Sequence, residues 1–183
     1  VWRRPAVKAD GEEYYEYLLC YVDDVLCVSE DPSFTMRQIK ENFYFKNDKW
    51  HDLDMYLGAK ITKKVHEGTT SWTMTSLDYL KSAIKEIETG LKDRGLELPK
   101  KANTAMHKSY KPELDSTPEL KPDDITFFQE LIGILRWAIE ISRVDVLTEI
   151  SMLSSFQASP REGHLKALLQ IFADIKNKPK LSL

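Results

Sequence analysis

The stretch Tyr14-Tyr15-Glu16-Tyr17-Leu18-Leu19-Cys20-Tyr21-Val22-Asp23-Asp24-Val25-Leu26-Cys27-Val28 decides the fold. Two runs of aromatic, branched and aliphatic residues flank a short polar step, the pattern of two β-strands joined by a tight turn. The adjacent acids Asp23 and Asp24 stand at that step. Successive strand residues face opposite ways, so adjacency alone does not aim both carboxylates at one point, but a sharp turn relaxes that rule. Held together they repel unless a cation stands between them, and divalent ions there would serve a phosphoryl or nucleotidyl transfer. The plain alternative is a solvated hairpin turn, where Asp is a favoured residue.

Downstream, Asp31-Pro32 reads as a helix start, with Met36, Ile39 and Phe43 on one face and a stop before Asn47-Asp48. A second hairpin follows. Leu57, Ala59, Ile61 and Val65 alternate with Gly58, Lys60, Thr62 and Lys64, and the turn His66-Glu67-Gly68-Thr69 leads back through Ser71-Trp72-Thr73-Met74. A helix with Ser76 as N-cap carries Leu77, Leu80, Ile84, Ile87 and Leu91 as its apolar stripe. Residues 93–122 include Pro99, Pro112, Pro118 and Pro122 and read as a loop or linker.

Three helices close the chain. One starts near Asp123-Asp124 and buries Ile125, Phe128, Ile132, Leu135 and Ile139. The next carries Val146, Leu147, Ile150 and Leu153, and the last opens on the capping box Ser159-Pro160-Arg161-Glu162. Strands first and helices afterwards is the α+β order with antiparallel sheet. The expected organisation is residues 1–75 as two hairpins, 76–92 as a helix, 93–122 as a Pro-rich linker and 123–183 as a helical region.

With 183 residues and 42% hydrophobic content the chain can bury a real core, and its 30% charged content argues against disorder. No run approaches the roughly 20 apolar residues of a membrane span. Cys20 and Cys27 cannot build a disulfide framework and read as reduced thiols of an intracellular protein. The four histidines show no metal-ligand spacing. A net charge of −3 hides a partition. Val1 to Asp31 has three basic and eight acidic residues, net −5, whereas Arg37 to Lys64 has seven and four, net +3. Arg161 to Lys180 has five and two, again +3. An acidic segment for cations beside basic segments for phosphates suits a polymerase, and also ordinary surface charge. The chain opens on Val1, without a signal peptide, and its first Met is Met36, so a piece of a longer frame is expected.

Tyr21-Val22-Asp23-Asp24 resembles the YxDD motif of reverse transcriptases, in the Val form frequent in copia-type elements. Trp2-x-Arg4-Pro5 and Tyr14-Tyr15-Glu16-Tyr17-Leu18 look like the same group. Met55-Tyr56-Leu57-Gly58-Ala59-Lys60-Ile61 resembles the family's primer-gripping segment. A glycine there admits a sugar–phosphate backbone, and would equally serve a plain strand-end bulge. Phe128-Gln129-Glu130-Leu131-Ile132-Gly133-Ile134-Leu135-Arg136-Trp137-Ala138 resembles the first thumb helix. At about 100° per residue, Gln129, Gly133 and Trp137 share one ridge away from the core stripe. A mid-helix glycine costs roughly 0.5–1 kcal/mol against Ala, so Gly133 needs a use. One is tracking a duplex groove; the other is close approach of a second helix, with Trp137 half-buried. Ser159-Pro160-Arg161-Glu162-Gly163-His164-Leu165-Lys166 resembles the P-x-x-x-H-x-K stretch before RNase H, where His164 shapes or caps a helix rather than binding a metal. The family's R-P-D is replaced by Arg143-Val144-Asp145, and the aromatic usual before the late Lys is replaced in Asp174-Ile175-Lys176.

The resemblance implies a retrotransposon Pol polyprotein segment, with partial palm hairpins followed by a thumb and connection. Asp23 and Asp24 would be ligands of two Mg²⁺ ions, and Tyr21 and Val22 would border the primer terminus. Tyr56, Leu57 and Gly58 would grip the primer, and Gln129, Gly133 and Trp137 would follow the duplex. Implied partners are an RNA or DNA template–primer duplex, a dNTP, fingers and palm upstream and RNase H downstream, with no membrane. The family works in cytoplasmic virus-like particles and the nucleus. Its first palm aspartate has no counterpart in this sequence, so the chain alone is expected to be inactive. The alternatives are a non-catalytic nucleic-acid-binding remnant and an inert transposon-derived fragment.

Overall fold

The structure, a computed structural model, describes residues 1–45 and 50–179. It is α+β, with small antiparallel sheets and five α-helices, and forms two compact units, Val1–Leu57 and Gly58–Leu183. The β-hairpin of residues 59–75 lies in the second of these units.

In the first unit, β1 (Trp2–Val7), β2 (Glu13–Tyr21) and β3 (Asp24–Val28) form an antiparallel sheet in that order, followed by α1 (Pro32–Lys40) and the short β4 (Met55–Tyr56). The sheet and α1 are tied by one buried carboxylate. Glu16 accepts from Arg4 Nε on β1, from Ser29 Oγ at 2.6 Å and from Tyr14 OH at 3.3 Å. Arg4 also donates to Thr35 Oγ1 at 3.0 Å and Gln38 Oε1 at 2.9 Å on α1. Burial pushes the Glu16 carboxyl up, but the hydrogen bonds from Ser29 and Arg4 outweigh it and hold the group below its usual range. Losing Arg4 would leave the buried Glu16 charge without its counter-ion. Both cysteines are half-buried thiols outside any disulfide.

Asp31 caps α1 as expected, its Oδ1 accepting from Phe34 N at 3.0 Å, with Pro32 in the first turn. The helix ends at Lys40, so Phe43 leaves the Met36 face and is 67% exposed, against the expected stripe. The expected stop at Asn47-Asp48 lies outside the described residues.

In the second unit, β5 (Ala59–His66) and β6 (Thr69–Thr75) pair antiparallel through a two-residue turn, with φ 49° at Glu67 and 77° at Gly68. Ala59 is buried but Val65 is 65% exposed, so the apolar face expected to reach Val65 stops short of it. Four helices follow: α2 (Leu77–Asp93), α3 (Pro122–Ile141), α4 (Leu147–Ser154) and α5 (Glu162–Asn177). Their core joins Leu91, Phe128, Leu135, Ile150, Leu168 and Phe172, all at 1% exposure or less. Val146 is buried in the 3₁₀ turn Val144–Val146, which turns Leu147 outward, and Ile125 is only half-buried. Ser76 precedes α2 but makes no side-chain cap; its Oγ pairs with Ser142 Oγ at 2.8 Å.

The last helix starts two residues later than the expected box. Arg161 is its N-cap, and the capping acceptor is His164 Nδ1, 3.0 Å from Arg161 N. His164 Nε2 in turn donates to Pro112 O at 3.0 Å. Residues 94–121 hold little regular structure beyond the 3₁₀ turn Pro112–Leu114, yet they are docked and do not hang free. Leu98 and Ala102 are buried, and Gln170, Asn177 and Lys178 of the α5 region donate to carbonyls of this strap. Asp115 fastens it, accepting from Tyr110 OH at 2.5 Å and Thr117 N at 2.9 Å, while Thr117 Oγ1 accepts from Gly163 N at 2.9 Å.

A β-carbon on Gly163 would fall inside the Asp115 carboxylate. Gly163→Ala is therefore expected to destabilise by about 1–3 kcal/mol, despite the better helix propensity of Ala. Asp115→Ala should remove most of that penalty in a double-mutant cycle by chemical denaturation; strictly additive losses would contradict the fit.

Burial raises the Asp115 carboxyl, but hydrogen bonds from Thr117 and Tyr110 outweigh it and lower its pKa. A carboxyl lowered on folding contributes stability above its unfolded value of about 3.9, lost as pH falls through the folded value. Acid titration of stability should thus lose a component in Asp115→Asn that the parent chain displays below about pH 4. Identical profiles for the two would refute the assignment.

Candidate functional site

The register Tyr21↔Asp24 closes the β2–β3 hairpin on only two residues, Val22 and Asp23. A two-residue turn matched to strand twist needs positive φ, usually supplied by Gly, Asn or Asp. Here Val22 takes φ 53° and is 90% exposed. A β-branched residue in that region is strained, at a cost of order 1–3 kcal/mol, and such strain clusters at functional sites. The turn leaves Asp23 and Asp24 exposed beside the 52%-exposed Tyr21.

Tyr56 on β4 reaches the same hairpin, its OH donating to Leu19 O at 3.4 Å. Burial raises its phenol, helped by neighbouring Cys20 and Asp24. Sequence reasoning gave Tyr56 a place in the primer grip but not this tether to the carboxylate hairpin.

Two carboxylates are hard oxygen donors of the kind Mg²⁺ takes from protein in ones or twos, leaving the rest to water and phosphate. Among the described residues no group of three or more His, Cys, Asp or Glu side chains gathers to hold a metal. The pair fits part of a magnesium site.

Leu57 and Gly58 follow with φ 52° and 78°. In the second unit, Trp137 Nε1 lies 3.9 Å from where a Gly58 β-carbon would stand. The structure thus brings together the glycine and the tryptophan that sequence reasoning placed in separate motifs. On α3, Gln129 and Gly133 are exposed and Trp137 is half-buried, while Phe128, Leu131, Ile132 and Leu135 face the core. Apart from its own helix backbone and chain neighbours, no described atom lies within 4 Å of a β-carbon built on Gly133, so helix–helix approach does not explain that glycine. Gln129 Nε2 donates to Gln157 O at 2.9 Å, a partner in another segment that no local spacing signals. Asp23, Asp24 and Tyr56 belong to one unit, and Gly58, Gln129, Gly133 and Trp137 to the other.

Two curated transposon proteins are similar to this chain. A putative transposon Ty5-1 protein of Saccharomyces cerevisiae is 30% identical over 159 residues, 85% of this chain and 47% of the relative. A retrovirus-related Pol polyprotein from transposon RE1 of Arabidopsis thaliana is 28% identical over 167 residues, 89% of this chain and 10% of that protein. The chain thus spans about half of the first relative and a tenth of the second. No protein-family model matches it, and no solved structure does. The relatives support a retrotransposon-derived chain. Among the described residues no helix is long and apolar enough to cross a membrane.

Replacing Val by Gly in an ordinary strand costs stability, since Gly is entropically expensive and packs nothing. At position 22 the relief of positive φ opposes that cost, so Val22→Gly should leave the denaturation midpoint unchanged or raise it. A loss of about 1 kcal/mol or more would mean that the turn is not strained.

Proposed function

We propose that this chain is the partial palm and thumb of a copia-type reverse transcriptase, an RNA-directed DNA polymerase. The observation that carries the reading is the strained two-residue turn, at which the consecutive residues Asp23 and Asp24 are both exposed at the end of an apolar hairpin. The transposon relatives and the open Gly133 ridge support it.

In this reading Asp23 and Asp24 hold Mg²⁺, and Tyr21 and Val22 border the primer terminus. Bound magnesium supplies charge stabilisation at the phosphate undergoing transfer. Leu57 and Gly58 grip the primer, with Tyr56 tying that segment to the carboxylate hairpin through Leu19 O. Gln129, Gly133 and Trp137 follow the template–primer duplex along one helix ridge. The complete enzyme takes a dNTP as substrate and draws a further carboxylate from the upstream palm.

The chain by itself binds duplex but does not extend primers. Purified chain should bind an RNA–DNA hybrid in a salt-sensitive way, with no Mg²⁺-dependent extension. Gly133→Leu is the sharpest probe of the ridge, because it improves helix propensity and a β-carbon there has open space around it. It should weaken binding tenfold or more while stability holds or rises, and Asp23→Asn with Asp24→Asn should leave binding unchanged. Unaltered binding by Gly133→Leu would sink the thumb assignment, and primer extension by the chain alone would sink the statement that it is incomplete. Paramagnetic broadening of Asp23 and Asp24 signals by Mn²⁺ tests the metal assignment separately; no broadening there would remove it.

A further inference from the structure

The two sheets guard their edges unequally. Among the described residues the outermost strands are β1, β3, β4 and β6. β1 carries Arg3, Arg4 and Pro5, while β3 and β4 are only five and two residues long. Charge, proline and shortness all keep a strand edge from adding another chain. β6 has none of these. Its seven residues, Thr69-Thr70-Ser71-Trp72-Thr73-Met74-Thr75, include no charged group, no proline and no glycine. Its neighbour β5, by contrast, carries Lys60, Lys63 and Lys64. The outer part of the hairpin stands in solvent, every residue from Thr62 to Trp72 being exposed.

The turn fixes which backbone groups of β6 are free. Across the two-residue turn at Glu67 and Gly68, His66 and Thr69 form the closing hydrogen-bonded pair. Alternation then points the N–H and C=O of Thr69, Ser71, Thr73 and Thr75 at β5, and those of Thr70, Trp72 and Met74 outward. Among the described residues no backbone bond takes these outward groups. We propose that this edge is a dimerisation surface, on which two copies of β6 pair antiparallel about a two-fold axis at Trp72. That register sets Trp72 opposite Trp72 of the second copy and Thr70 opposite its Met74, so every outward N–H meets an outward C=O. The side chains match as well. Trp72 packs against its twin on the face that also bears Ile61 and Val65. On the other face Ser71 meets Thr73 and Thr69 meets Thr75, pairs that exchange hydroxyl hydrogen bonds. No like charges meet, because β6 has none. Pairing consumes both uncharged edges and leaves β4 and the lysine-bearing β5 outermost, so association stops at two. A single strand pair buries less than the roughly 800 Å² per partner of a standard interface, so the dimer is reversible. Neither the carboxylate pair nor the Gly133 ridge enters this contact.

The test is sedimentation equilibrium of the chain over about 1 µM to 1 mM, the range in which small interfaces dissociate. The parent chain should pass from monomer to dimer without larger species. As it does, the amides of Thr70, Trp72 and Met74 should gain protection from hydrogen exchange. Thr70→Pro deletes an outward N–H and no β5–β6 bond, so it should weaken dimerisation about tenfold or more. Thr70→Val keeps the N–H and should dimerise as the parent does. Cysteine cross-linking checks the register whether or not the proline is tolerated. Opposed residues of a hydrogen-bonded pair stand about 5.5 Å apart at Cα, within disulfide reach. Mild oxidation should therefore cross-link Trp72→Cys to itself, and Thr70→Cys only when mixed with Met74→Cys. A parent chain that is monomeric throughout overturns the proposal, as does a dimer that Thr70→Pro leaves intact or that Thr70→Val weakens equally. Cross-linking of Thr70→Cys to itself overturns the two-fold at Trp72. Loss of the dimer to an equimolar, unrelated threonine-rich peptide makes the edge an acceptor of any extended segment, and overturns a second copy as its partner.

Discussion

A hairpin that closes on two residues and follows the strand twist takes positive φ on at least one of them, and that constraint governs where this protein's candidate site residues stand. Val22 meets it under strain, and Glu67 with Gly68 meets it again. The first turn leaves two carboxylates exposed, and the second holds β5 and β6 in register. A longer connection would let the strands splay and blur every one of these positions.

The helices supply the complementary condition, a core tight enough to free one ridge for another use. Phe128, Leu131, Leu135 and Ala138 of α3 are buried against neighbouring helices. Gln129 and Gly133 therefore fall on the outer side, where a glycine has no packing reason to be present. The strap of residues 94–121 closes the opposite need. Its Asp115 occupies the space above Gly163 that any side chain would contest. The motif around Pro160 and His164 is thereby explained as a docking point, with the imidazole accepting from Arg161 N and donating to Pro112 O.

Much of this was legible because strand alternation and helical spacing are local. The β2–β3 hairpin, the Glu67–Gly68 turn, the stripe of α2 and the ridge of α3 all follow from residue order. Where expectation failed, a neighbour distant in sequence or an early helix end decided the outcome. Phe43 lies outside because α1 stops at Lys40, and Leu147 because a 3₁₀ turn takes Val146 inward. Ser76 pairs its hydroxyl with that of Ser142, 66 residues away, instead of capping its own helix. The Pro-rich stretch offers no periodicity, so nothing in its order announced that α5 would hold it.

The amino-acid sequence alone determined the α+β order, the adjacent carboxylates, the glycine turns and the Gln129–Gly133–Trp137 ridge, since each depends on backbone period and turn chemistry. Only the tertiary structure decided that Gly58 meets Trp137, that Tyr56 is tied to the carboxylate hairpin, and that Gly133 faces open space. Those facts depend on which surfaces come together across long stretches of chain, and short-range spacing carries no record of them.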